Sequence, residues 1–196
     1  MERGEDIVLL QELFASPPPV VTAMRRTLEF CRSKYHIQGV ERLYELPFEK
    51  ETEELKVWAQ SILQFQPPPP SIQAYYFGLF DSVGKDRNVR PCLYLSGSEL
   101  FDEREENQDW ACSPSYFPEG RYIISEVLIV LEERARSTAE HVAELSYLLQ
   151  MSFAGSAISH VMQDLPKELT LGSRLSRGLA IGFDEGDLFL LPAIKR

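Results

Sequence analysis

The sequence is poor in the residues and runs that mark a specialised environment. Cysteine occurs three times, at Cys31, Cys92 and Cys112, and no two of them form a CxxC pair. So sparse and odd a set builds neither a disulfide framework nor a zinc site, and it predicts a reducing, cytoplasmic setting. Long hydrophobic runs are missing. The most apolar window, Ile123–Leu131, is broken by Ser125 and Glu126, and a membrane span needs roughly 20 apolar residues. The first residues, MERGEDIVLLQELF, are acidic with a short apolar run, so neither a signal peptide nor a membrane partner is expected. Positive charge is scarce. Twenty Lys and Arg stand against 30 Asp and Glu, for a net charge of −10 and a pI near 4.9. Phosphate contacts need clustered cations, so no nucleic-acid partner is expected.

Catalytic signatures are missing as well. The three histidines, His36, His141 and His160, lie in no HExxH motif. There is no GxSxG, GxGxxG or Walker A run. The reading is therefore of no metal ligand, no cofactor and no catalytic nucleophile. What is present is ordinary for a globular chain: 44% hydrophobic and 26% charged residues over 196 positions. That length suits one domain, 1–196, able to bury a core without staples.

Two proline runs, Pro17–Pro19 and Pro67–Pro70, read as stiff connectors. Between them the spacing predicts a helix over Val20–Tyr35, with Val21, Met24, Leu28 and Cys31 on one stripe. It predicts a second over Glu49–Gln64, with Leu55, Trp58, Ile62 and Phe65 inward. The period then changes. Aromatic and β-branched residues in Ile72–Phe80 and Pro91–Ser96 predict a hairpin. Tyr122–Leu165 reads as helical, with a stripe of Ile124, Leu128, Leu131 and Ala135. A break is expected near Ser137, where Ser137-Thr138-Ala139-Glu140 has the form of a capping box. Leu179–Phe183 and Leu188–Leu191 flank a tight turn and predict a second hairpin. The expected fold class is α+β: an antiparallel sheet of about four strands, from two hairpins, packed on helices in the order ααββααββ.

The stretch between the first hairpin and the long helices has no period. Residues 99–126 hold eight acids against two bases, whereas the first 40 residues are balanced at five of each. The negative charge is therefore local, as steering toward a basic partner requires. The carboxylates expected to bind such a partner are Glu99, Asp102, Glu103, Glu105, Glu106 and Asp109. The neighbouring Trp110, Tyr116 and Phe117 are the expected apolar anchors.

The same region carries a resemblance. FGLFDS (Phe77–Ser82), LYLSGSELFD (Leu93–Asp102) and DWACSPSYFPEGRY (Asp109–Tyr122) resemble a group of small bacterial proteins found among the immunity-protein families of polymorphic toxin systems. The resemblance implies a cytoplasmic α+β protein that inhibits a toxin by binding it, and it assigns no catalytic residue. The functional expectation is thus a non-enzymatic binding protein for a basic toxin domain. The alternatives are a hydrolase using paired carboxylates such as Asp81 and Asp102, which needs the two in different environments, and a scaffold or homodimer formed through the long helix.

Overall fold

The computed structural model describes residues 4–83, 89–104, 109–138, 140–184 and 186–196. Three helices come first. Helix α1 (Glu5–Ala15) turns Leu9, Leu10, Leu13 and Phe14 inward, with Glu5 and Asp6 in its first turn, where the helix dipole favours negative charge. Helix α2 (Val20–Tyr35) starts directly after the first proline run, and α3 (Phe48–Phe65) ends just before the second. A 3-10 turn at Val40–Glu45 joins them. One expectation for α3 changes. Phe65 is 84% exposed, whereas Leu55 and Ile62 are buried as expected, with Phe48, Ala59 and Leu63 beside them and Trp58 partly buried against the core.

The sheet has five strands: β1 (Ala74–Val83), β2 (Val89–Ser98), β3 (Tyr122–Ile124), β4 (Ser176–Phe183) and β5 (Leu188–Lys195). They lie in the order β3-β2-β1-β4-β5. Both expected hairpins form, but β1 and β4 run parallel, with Tyr75 beside Leu179 and Phe77 beside Ile181. The sheet is therefore mixed rather than antiparallel, and the order ααββααββ is corrected by α1, β3 and the short α6. Turn chemistry sets the pairing inside a hairpin and says nothing about which way two hairpins meet. Between them the chain passes through α4 (Glu126–Arg136), α5 (Val142–Asp164) and α6 (Lys167–Thr170). A helical crossover of this kind is what permits parallel neighbours.

Tyr122–Ile124, expected as helix, pairs with Cys92–Tyr94 as an edge strand. Helix α4 begins only after Ser125, whose Oγ accepts the Leu128 N–H at 3.1 Å, an N-cap that satisfies one orphan donor. The expected break near Ser137 is present, but its capping box is not. Ser137 closes α4, donating its hydroxyl to the Arg134 carbonyl at 2.7 Å, and His141 with a φ of 56° precedes α5.

Helix α5 is the centre of the core. Between Leu145 and Met162 only Ser146, Tyr147 and His160 are not buried. A helix buried on nearly every side is one enclosed by its own chain. At Gly155 a Cβ would fall inside the Phe14 ring, which also meets Phe189 edge-on at 5.4 Å. Glycine thus lets α1 close down on α5. All the long helices lie on one face of the sheet, with Tyr75, Phe77, Leu179 and Ile181 in the same core cluster.

Candidate functional site

The opposite face of the sheet is covered by the chain after β2. Strand alternation sends Ala74, Tyr76 and Ala180 to that side, where Trp110 and Ala111 complete a small second core. The covering segment is tied down over residues 109–120. A 3-10 turn runs over Asp109–Cys112, and Tyr116 exchanges backbone hydrogen bonds with Gly97 at 3.0 Å. The Tyr116 hydroxyl donates to the Gln66 carbonyl at 2.5 Å, and the Trp58 indole donates to the Gly120 carbonyl at 3.0 Å.

Beside this cover, four rings form a chain across the open sheet face. Tyr76 and Tyr94 meet edge-on at 5.9 Å, Tyr94 meets Phe80 at 5.8 Å, and Phe80 meets Tyr122 at 5.6 Å. Tyr94 belongs to β2, yet its hydroxyl donates to Asp184 Oδ1 at 2.7 Å, just past the end of β4. It reaches that far because β1 presents Gly78 beneath it. A Cβ at Gly78 would lie inside the Tyr94 ring. Gly182 is the strand neighbour of Gly78 on β4, and a Cβ there would come within 2.7 Å of the Asp187 carbonyl oxygen. Two glycines side by side thus leave a shallow track across the sheet, which a tyrosine ring occupies.

The result is a groove of about 630 Å³, walled by Tyr76, Tyr94, Cys112, Phe117, Asp184 and Asp187 among others. Burial raises the Tyr94 phenol above its ordinary range, and its bond to Asp184 raises it further. Burial and then the Asp184 charge do the same to Tyr76. Both therefore stay protonated at neutral pH as donors. Asp187 accepts the Tyr147 hydroxyl at 3.2 Å. The Cys112 thiol is exposed, whereas Cys31 and Cys92 are buried.

The residues expected to bind a partner separate. Glu99, Asp102 and Glu103 are exposed at the sheet end where β2 finishes. Glu99 accepts the Ser71 hydroxyl at 2.5 Å, and Asp102 accepts the Arg104 N–H at 2.9 Å. Asp109 opens the 3-10 turn, and Glu105 and Glu106 lie outside the described residues. The aromatic anchors need correction. Trp110 is 2% exposed, with Phe101 edge-on at 5.1 Å, and Tyr116 is 7% exposed. Both serve this chain's own packing, because their apolar area finds partners within it. Only Phe117, half-exposed, reaches the groove. Tyr76, Tyr94, Asp184 and Asp187 were not singled out from sequence. The available signal was a glycine next to an aromatic residue in each of two strands, Gly78 after Phe77 and Gly182 before Phe183.

Asp81 and Asp102 do not converge. Asp81 pairs with Pro91 at one end of β1, while Asp102 follows Ser98, the partner of Ala74 at the other. Seven residues of strand separate those ends, about 23 Å at ~3.3 Å per residue. The near neighbours of Asp81 are Arg136 at 3.9 Å and Glu132. Glu132 is 7% exposed and accepts from Arg136 Nε at 2.5 Å, from Gln150 Nε2 at 2.7 Å and from the Ser146 hydroxyl. It is fully engaged in joining α4 to α5. Among the described residues no group of three His, Cys, Asp or Glu is placed to hold a metal, and no helix is long and apolar enough to cross a membrane. His160 meets the Pro18 carbonyl at 2.8 Å, a packing role.

No family model, no curated protein and no solved structure matches the chain.

Proposed function

We propose that this chain is a non-enzymatic binding protein whose groove receives a cationic side chain from a basic protein partner. One observation carries the reading. Among the described residues, the groove wall has two carboxylates, Asp184 and Asp187, four aromatic rings from Tyr76, Tyr94, Phe117 and Phe183, and no Lys, Arg or His. Ring faces and carboxylates together favour a guanidinium or ammonium group. The molecule uses the same chemistry on itself. The Arg121 guanidinium lies 4.6 Å from the Tyr122 ring centre and 5.4 Å from that of Phe117. The exposed Glu99, Asp102 and Glu103 add steering charge at a distance, which acts on association more than on residence.

The narrower form of the proposal is an immunity-type inhibitor of a cognate bacterial toxin. It is supported by the resemblance of residues 77–122. That segment supplies the Gly78 track, Tyr94, and the Cys112, Pro114 and Phe117 wall of the groove. A basic toxin domain that attacks nucleic acid would find here the charge of its substrate. The test is titration with a short Lys/Arg peptide. Asp184→Asn with Asp187→Asn should weaken binding tenfold or more. Asp102→Asn with Glu103→Gln removes the same charge and should weaken it less than about threefold. Equal losses for the two pairs would reduce the groove to general attraction and sink the proposal.

A further inference from the structure

A second cavity lies toward the other end of the β4–β5 hairpin and shares no wall residue with the groove. It encloses about 560 Å³. Strand β5 bulges there, with Pro192 and Ala193 together opposite Gly178, because the register shifts between Arg177 and Leu179. A proline without an N–H is at home in such a bulge. The cavity wall includes Arg174, Arg177 and Lys195 against a single acid, Glu103. On a chain of net charge −10 this is an inversion of local charge.

Arg177 makes the inversion chemically demanding. It is 2% exposed, and among the described residues no carboxylate pairs with it. Its Nη1 donates to the Tyr75 hydroxyl and to the Thr170 carbonyl at 3.1 Å. Its Nη2 donates to the Pro69 carbonyl at 3.3 Å. All of these acceptors are neutral, and among the described residues its Nε has no partner. A buried cation without a counter-ion is costly. Arg174 repeats the pattern closer to the surface. Its Nη1 is held by the Pro70 carbonyl at 3.1 Å, and its Nε is likewise buried without a partner. Lys195, paired with Ser176 across the strands, is exposed at the mouth.

We infer that this cavity is an anion site that binds the dianionic phosphate group of a small phosphomonoester. Arg177 supplies positive potential from behind the wall. Arg174 and Lys195 supply the donors that a ligand can reach. Three cations against one carboxylate suit a doubly charged group better than a single carboxylate, and guanidinium forks match phosphate oxygens. The volume leaves room for a small organic ester beyond the phosphate itself.

The test is thermal unfolding and calorimetric titration of the full chain with inorganic phosphate and with glycerol 2-phosphate, at ionic strength matched with chloride. The expected result is a saturable rise in Tm with both, tighter for the ester, and no comparable rise with acetate. Arg174→Gln with Lys195→Gln leaves the Arg177 network in place and should weaken both ligands at least tenfold while the unliganded Tm changes little. Arg177→Gln removes the buried charge and with it the potential behind the wall, and should weaken phosphate even if its own Tm falls. Rises no larger than those of chloride or acetate, or unchanged binding by the double variant, would overturn the inference.

Discussion

Single atoms decide whether the groove exists. The hydrogen at Gly78 is replaced by a methyl group in Gly78→Ala, and the Tyr94 ring must leave its track. Peptide binding should then fall tenfold or more, while the helix-side core, which Gly78 does not touch, keeps its packing. Tyr94→Phe is the milder probe. It removes the hydroxyl that binds Asp184 and keeps the ring, and should cost about 1–2 kcal/mol in urea unfolding. Trp110 separates packing from binding in the opposite sense. Trp110→Ala should cost about 3–5 kcal/mol of stability as a buried aromatic. Trp110→Phe should cost much less, because the indole N–H has no partner among the described residues and its loss leaves no donor stranded. Asp81 supplies a pH signature. Burial raises its carboxyl above the usual value, Glu132 raises it further, and Arg136 opposes them. Ionising it in the folded chain is therefore harder than in the unfolded chain. Its contribution is present below the unfolded carboxyl value, about 4, and is lost as pH rises through the raised one. Asp81→Asn should thus raise Tm relative to wild type at pH 7, with the gain shrinking toward pH 3. A gain that grows on acidification would contradict this.

At the scale of elements, α5 decides stability. Leu131 on α4 and Leu145 on α5 are both fully buried, so either leucine to alanine change should cost about 2–5 kcal/mol in urea unfolding. A cost under about 0.5 kcal/mol would mean the helical phase is wrong. Gly155→Ala should also destabilise, because the new methyl would lie 2.4 Å from the Phe14 ring and push it off α5. The helices were legible because apolar residues recur at helical spacing and prolines bound them, as in Val20–Tyr35. Helix α1 carries the same signal in Leu9, Leu10, Leu13 and Phe14, and was overlooked between an acidic start and a proline run. Tyr122–Ile124 misled because three residues hold no period, and Ile124 fits a helical stripe as well as an edge strand. The parallel β1–β4 contact had no local signal at all, since it depends on where the α4–α5 crossover sets β4 down. The groove escaped for a related reason. Its walls come from β1, β2, the 109–120 segment and the β4–β5 turn, and only the fold brings them together. Trp110 and Tyr116 sit in a charged, aperiodic stretch, which predicts anchors for a partner, yet that stretch is the lid of the sheet's second face.

The whole molecule is a sheet armoured on one side by helices and on the other by a single tied segment, with the groove and the cationic cavity toward opposite ends of one hairpin. Its charge is divided to match. Carboxylates stand at the groove and along the segment after β2, while the cations Arg174, Arg177 and Lys195 gather at the β4–β5 bulge. Cys112 allows the groove to be watched directly. It lines the groove and is exposed, whereas burial pushes the Cys31 thiol up to about 12 and raises Cys92 as well. A thiolate-directed reagent should therefore modify one cysteine quickly in the native chain and three after denaturation. The most direct measurement is the rate of that single fast modification with and without a saturating Lys/Arg peptide, at fixed ionic strength. The groove account predicts protection of Cys112 by tenfold or more, lost in the Asp184→Asn, Asp187→Asn variant. An unchanged rate at peptide concentrations that saturate binding would place the partner elsewhere on the molecule and contradict the account.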